Sequence, residues 1–122
     1  MKGDLYSRAT KLFKKTEKIG ALKEEIEKSE RIFQFDPSDE KPFYIRIKQG
    51  KLSFGKGKKY PPDFQGGLYI TGDRESLDSL FQGKLSLAES IYHHKIHIPG
   101  YRTKEPVMVW FSKLLRKGRG EK

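Results

Sequence analysis

Between Thr71 and Gly100 the chain reads TGDRESLDSLFQGKLSLAESIYHHKIHIPG, and nearly every change of direction in it carries its own start or stop signal. Asp73 is placed to cap a helix whose Leu77, Leu80 and Phe81 recur at helical spacing. Gly83 falls where a helix end wants a left-handed residue. Ser86 and Glu89 form an S-x-x-E capping box that starts a second helix, with Leu87 and Ile91 turned inward. Ile96 and Ile98 then alternate with Lys95 and His97 as in a strand, and Pro99-Gly100 ends it. Strand end, helix, turn, helix and strand are thus set by local chemistry.

The rest of the chain must supply the layers these elements pack on. Residues 4–28 repeat apolar positions three or four apart (Leu5, Ala9, Leu12, Phe13, Ile19, Leu22, Ile26), which predicts an amphipathic helix or two short ones broken near Gly20. Glu24 and Lys28 make a favourable i,i+4 pair on it. A first strand is expected over Arg31–Phe35, then a turn at Asp36-Pro37-Ser38-Asp39. Phe43–Lys48 alternates, with Phe43, Ile45 and Ile47 on one face. Gln49-Gly50 turns the chain into a second arm that continues the buried face with Leu52 and Phe54. Residues 55–63 form a basic surface loop, and alternation returns through Phe64, Leu68 and Ile70. A last helix starts near Thr103, tolerates Pro106 in its first turn, and carries Val107, Trp110, Phe111, Leu114 and Leu115 on its apolar side. The tail from about residue 117 to 122 is basic and expected to fray. This order predicts an α+β fold: about five strands, mostly antiparallel, with helices over one face. At 122 residues the chain is read as one domain, 1–122.

The formal charge of +10 favours anionic partners such as a membrane surface, and equally suits a solvated surface. Lys56, Lys58, Lys59, Lys113, Arg116 and Lys117 are the candidate contacts to an anionic surface. Without cysteine there is neither disulfide nor thiolate nucleophile. No leader-like or membrane-spanning apolar run is present, so a soluble, cytoplasmic protein is expected.

Residues able to do chemistry are few. His93 and His97 would share a face of one continuous helix, as a metal site wants, but the strand pattern at Lys95–Ile98 breaks that geometry. Asp73 and Glu75 are better explained by helix-end electrostatics than by acid–base work. Ser86 lacks a nucleophile-elbow context. Gly55–Lys59 lacks phosphate-loop spacing. Its lysines beside Tyr60 have the make-up of a single-strand nucleic-acid contact, yet no recognition motif accompanies them, so nucleic acid is disfavoured. No catalytic residue, metal or cofactor is assigned.

Two apolar surfaces remain. The sheet offers Phe43, Ile45, Phe54, Leu68 and Ile70; the helices return Leu80, Phe81, Ile91, Val107, Met108, Trp110 and Phe111. Packed at full density they are a core, and if the last helix stands off they line a tunnel; the pattern by itself favours the core.

The Thr71-Gly72-Asp73 helix entry, the Gly83-Lys84-Leu85 turn, the Lys95–Ile98 strand and the Phe43–Gly50 arm together resemble the sterol carrier protein 2 family, over most of residues 31–118. Two positions depart from it. The family often has Gly where this chain has His94, and Tyr60-Pro61-Pro62 is not one of its hallmarks. The resemblance implies a five-stranded sheet and helices around a hydrophobic tunnel. It implies non-catalytic binding or transfer of sterols, fatty acids, acyl-CoA or similar ligands, with the apolar residues above as walls. Ten buried methylenes offer about 8 kcal/mol before ordering costs, enough for micromolar affinity without a polar anchor. The alternative reading is an accessory module whose apolar groove holds a partner segment or supports dimerisation.

Overall fold

A computed structural model describes residues 4–18, 30–48, 51–64 and 66–120. Helix α1 spans Leu5–Lys18, and strands β1 to β4 span Glu30–Pro37, Phe43–Lys48, Lys51–Lys56 and Gly67–Gly72. Helices α2 (Arg74–Gln82) and α3 (Leu87–Tyr92) follow, then β5 (Ile96–His97), a 3-10 turn (Tyr101–Thr103) and helix α4 (Glu105–Gly118). The expected turn at Gln49-Gly50 and the helical positions Ile19, Leu22, Glu24, Ile26 and Lys28 lie outside the described residues.

The five strands form one sheet in the order β3-β2-β1-β4-β5. Neighbours run antiparallel except β1 and β4, which are parallel, with Phe33 beside Leu68 and Phe35 beside Ile70. The fold is therefore α+β with a mixed sheet. Leu52 and Phe54 do share the face of Ile47 and Ile45, but β3 is an edge strand and leaves them only half-buried. The edge is partly closed by α1, whose Glu17 accepts a hydrogen bond from the Leu52 N–H at 3.0 Å.

Helices cover one face. α1 turns Leu5, Ala9 and Phe13 toward it at i, i+4 and i+8, and all three are fully buried. The centre is aromatic: Phe111 of α4 lies 4.7 Å from Phe33, 6.1 Å from Phe13 and 6.2 Å from Phe35, ring centre to centre. Gly118 lets α4 approach α1, because a Cβ there would sit 2.8 Å from the Leu12 carbonyl oxygen. α4 continues to Gly118, just into the segment expected to fray from about residue 117, and the Arg119 guanidinium donates to the Leu80 carbonyl of α2 at 3.3 Å.

The local signals at α2 and α3 are present as chemistry. The Asp73 carboxylate accepts from the Ser76 N–H, Gly83 ends α2 at φ 80°, and Ser86 and Glu89 form a reciprocal capping box. α3 ends differently. Its left-handed residue is His94, at φ 58°, with His94 N–H donating to Ile91 O at 3.0 Å and Lys95 N–H to Ser90 O at 2.8 Å. These are the paired bonds of a helix end built for glycine.

The opposite face of the sheet is also covered, which residues 55–63 as a simple surface loop did not anticipate. Residues 57–64 cross it as a strap, pinned by the fully buried Gln34. The Gln34 amide oxygen accepts from the Lys59 and Tyr60 N–H groups, each at 3.1 Å. Its nitrogen lies 3.0 to 3.2 Å from the carbonyls of Phe43, Gly57 and Phe35. Beside it, Tyr69 donates to Asp36 at 2.5 Å and Lys58 pairs with Asp36 at 3.4 Å. Burial first, and then the Asp36 bond, push the Tyr69 phenol above its ordinary value.

Two substitutions test these features. Gln34→Ala leaves buried peptide groups without partners and is expected to cost about 3 kcal/mol in urea unfolding and to expose Lys58 and Lys59 to trypsin; unchanged stability and protease resistance would refute the pin. His94→Gly relieves the left-handed residue, and after the loss to unfolded-chain freedom should raise stability by about 0.5–1 kcal/mol. A lower melting temperature would mean that the imidazole makes a compensating interaction.

Candidate functional site

Most residues named as tunnel walls are packed together. Phe43, Ile45, Leu68, Ile70, Leu80 and Phe111 are at most 1% exposed, and Phe81 and Trp110 are 5% exposed. Trp110 faces Phe33 at 6.0 Å, so sheet and α4 meet in aromatic contact. Phe54 is half-buried at the β3 edge, with the Lys14 ammonium 5.8 Å from its ring centre. Ile91, Val107 and Met108 form the partly buried margin of the core.

That margin opens into a groove of about 410 Å³ between α3, the 3-10 turn and α4, within the usual size range of small-molecule sites. Ala88, Ile91 and Tyr92 line it from α3, Tyr101 and Arg102 from the turn, and Glu105 and Met108 from α4. Of its lining, Tyr92 is 79% exposed; Val109 of α4, at 62%, is the other exposed large apolar side chain among the described residues. A smaller cleft of about 220 Å³ between α2, α3 and α4 is lined by Leu80, Leu85, Leu87 and Leu115 with Glu89, Arg116 and Arg119, and two others carry more charge. One of about 430 Å³ holds Arg8, Lys11, Lys15 and Asp78, and one of about 590 Å³ holds Asp4, Glu40, Lys41 and Lys56 beside Tyr6 and Phe43.

Short-range bonds hold each wall of the groove. Ser86 and Glu89 fix the start of α3 and the His94 turn its end, while buried Ile96 and Ile98 root the following segment in the core. Gly100, at φ 69°, starts the 3-10 turn, and the Thr103 hydroxyl donates to its carbonyl at 2.9 Å. The Lys104 ammonium reaches back to the carbonyls of Phe64 and Gly67 at 3.1 and 3.0 Å, anchoring the start of α4 to β4. Desolvation lowers the pKa of Lys104.

The candidate basic contacts lie on two sides of the molecule. Lys58 and Lys59 ride the strap behind the sheet, Lys59 with its ammonium 5.5 Å from the Tyr44 ring centre and 5.9 Å from that of Tyr60. Lys56 sits 5.2 Å from the Tyr6 ring centre. Lys113, Arg116 and Lys117 belong to α4, on the helical side. His93 ends α3 and His97 lies in β5, both exposed. Among the described residues no group of three or more His, Asp or Glu is arranged to hold a metal ion, and no helix is long and apolar enough to cross a membrane.

A family model described as the SCP-2 sterol transfer family matches residues 10–101. The chain belongs to the SCP-2 sterol transfer family. No curated protein matches it in sequence. Among solved structures, a crystal structure of sterol carrier protein 2 superposes with a TM-score of 0.64 at 11% identity, over 98% of this chain and all of the other. A solution structure of a conserved hypothetical protein from Thermus thermophilus superposes at 0.60, again at 11% identity, over 98% of this chain and 90% of that one. At such identity these likenesses establish the fold. The SCP-2 match ends at Tyr101, so α4, which contributes Glu105 and Met108 to the groove, lies beyond it.

Three helix starts, that of α3 beside the groove among them, are acid-sensitive. Asp73 at the start of α2 is held below the ordinary carboxyl value of 3.8, first by the Ser76 N–H. Glu89 at α3 is held below 4.5, first by the Ser86 N–H. Asp4 before α1 is held down likewise by the Ser7 N–H. A carboxylate depressed in the folded state stabilises fully above its unfolded pKa, and that contribution is lost as pH falls through the folded value. Stability is therefore expected to be level at neutral pH and to decline from about pH 5 downward. Asp73→Asn keeps a capping oxygen but cannot titrate, so its urea midpoint between pH 6 and pH 3 should fall less than the parent's; parallel curves would remove Asp73 from the account.

Proposed function

We propose that this SCP-2 family protein binds lipids or comparable apolar molecules without transforming them, with the groove between α3 and α4 as the resting site. The observation that carries this is the groove itself: an apolar trough of about 410 Å³ lying directly over the core margin of Ile91 and Met108. A methionine and two tyrosines suit varied apolar shapes, since Met adapts its rotamers and Tyr offers area at low entropic cost. The ionisable lining consists of Arg102, Glu105 and the two phenols, without a nucleophile–base pair. This supports a carrier over an enzyme.

The seam between sheet and α4 is the natural extension of the site. Val107, Met108 and Trp110 lie on the helix that would lift to admit a longer chain, exchanging aromatic packing for ligand contacts. Lys113, Arg116 and Lys117 farther along α4 favour transient contact with an anionic membrane, each basic side chain near such a surface contributing about 1 kcal/mol.

Methyl NMR with 1-octanol, which dissolves to the millimolar concentrations an open apolar groove calls for, tests this reading. The Met108 and Ile91 methyls should shift first, and Met108→Lys should weaken binding about tenfold. A chain that enters the seam would additionally change Trp110 fluorescence. Absence of any methyl shift, together with a stable protein complex burying Tyr92 and Val109, would instead favour an accessory interaction module.

A further inference from the structure

Lys104 joins the two faces of the sheet. It precedes α4 on the helical side, yet it is half-buried, with its ammonium against the carbonyls of Phe64 and Gly67 at 3.1 and 3.0 Å. Among the described residues it pairs with no carboxylate, so these two carbonyls and the Phe64 ring, 5.4 Å from the ammonium, hold it. The two carbonyls belong to different bodies. Gly67 is wedged onto β1: a Cβ there would lie 1.8 Å from the Ile32 carbonyl oxygen, and the adjoining Gly66 carbonyl accepts from the Ile32 N–H at 3.1 Å. Phe64 ends the strap, and its ring lies 5.2 Å from that of Tyr60, whose N–H donates to the buried Gln34. The backbone of Lys104 in turn belongs to the groove wall. Its N–H donates to the Tyr101 carbonyl at 3.1 Å, its carbonyl accepts from the Met108 N–H at 3.0 Å, and Tyr101 and Met108 both line the groove.

One residue thus links Gln34 behind the sheet to Met108 in front of it. We propose that Lys104 is a positioning residue for the groove, coupling its α4 wall to the strap so that the two loosen together. This coupling belongs to the chain itself and holds whatever the groove carries. Its basis is a shared donor: one ammonium binds both carbonyls through charge-assisted hydrogen bonds and so holds strap end and strand start together. When the strap lifts, the Phe64 carbonyl leaves, the ammonium is drawn toward water, and the first turn of α4 loses part of its tie to β4. When the start of α4 unwinds, the Phe64 carbonyl loses its donor and the strap end is freed. Two local openings coupled in this way promote each other by the same factor. The groove therefore has a control point on the opposite face of the sheet. Whatever draws Lys58 from Asp36, or Lys59 from the Tyr44 and Tyr60 rings, loosens the wall that carries Met108.

Backbone amide NMR of the ligand-free protein reads both ends in one sample. Gln34→Ala and the milder Lys58→Gln loosen the strap by different amounts. In both, the Met108 amide resonance should move together with that of Tyr60, and further in Gln34→Ala, while the Ser90 amide of α3, across the groove, stays in place. Lys104→Met keeps the side-chain stem without its donors. In that background the strap substitutions should still move the Tyr60 resonance and no longer move that of Met108. Lys104→Arg, which keeps charge and donors, should recover part of the Met108 response. In the converse direction, Lys104→Met alone should move the Tyr60 amide resonance. Should Gln34→Ala not fold, Lys58→Gln and this converse measurement decide the matter. A Met108 resonance indifferent to strap substitutions that move Tyr60 would overturn the coupling. So would a Met108 response that persists undiminished with Lys104→Met, an equal movement of Ser90, or a Tyr60 resonance that Lys104→Met leaves unmoved.

Discussion

Phe111 sits where three elements meet. Its ring contacts Phe13 of α1 and both Phe33 and Phe35 of β1, so one side chain ties the first helix, the last helix and a central strand into one layer. The rest of the helical side follows from this wedge. α4 is drawn close enough that Gly118 meets the Leu12 backbone, and its far end is then latched to α2 by Arg119. Alanine is ordinarily better than glycine inside a helix by about 1 kcal/mol, yet at 118 the missing Cβ is what the close approach requires. α3 makes no comparable insertion. It buries Leu87 and Ser90 and leaves its Tyr92 side open, which is why the groove forms there.

The other side of the sheet is closed by polar chemistry. Gln34 accepts two strap N–H groups and faces three carbonyls, so residues 57–64 are held by the hydrogen-bonding needs of one buried amide. The strap also accounts for the mixed sheet. It carries the chain from β3 at one edge, past β2 and β1, to enter β4 on the far side of β1 and parallel to it. Both of the strap's lysines are drawn into packing: Lys58 by Asp36 and Lys59 by the Tyr44 and Tyr60 rings.

What the sequence revealed was what local chemistry decides. Asp73, Gly83, Ser86 and Glu89 act within a turn of themselves, so their roles could be read directly and were realised as hydrogen bonds. The Phe43–Lys48 alternation was equally legible because one buried face forces period two. The Gln34 pin was not, since its strap partners lie more than twenty residues along the chain and a lone Gln in a strand reads as a solvated position. Parallel pairing of β1 and β4 left one available trace: Leu68-Tyr69-Ile70 is an uninterrupted apolar run, as a strand covered on both faces requires. The choice between core and tunnel was illegible for a different reason. Periodicity gives the direction of a side chain and says nothing about how far the opposing layer stands from it. The groove, too, had a trace. Val107–Phe111 is apolar without a break, longer than one buried helix face needs, and Met108 is the residue of that run left at the groove.

The energetics of the two apolar spaces explain why a polar anchor matters more here than the family resemblance implied. A chain of ten methylenes fully enclosed would gain about 8 kcal/mol. To enclose it between sheet and α4, side chains such as Trp110, Phe111 and Leu114 must first be separated from their neighbours, at roughly 2 kcal/mol each. Much of the gain is then offset, because one apolar packing replaces another. In the groove nothing has to be displaced, but one side faces water. About half the enclosed gain, roughly 4 kcal/mol, corresponds to millimolar binding. A charge-assisted hydrogen bond adds roughly 1.5–3 kcal/mol, which moves such a site to tens of micromolar. An open groove on a closed core therefore depends for useful affinity on a polar contact at its rim.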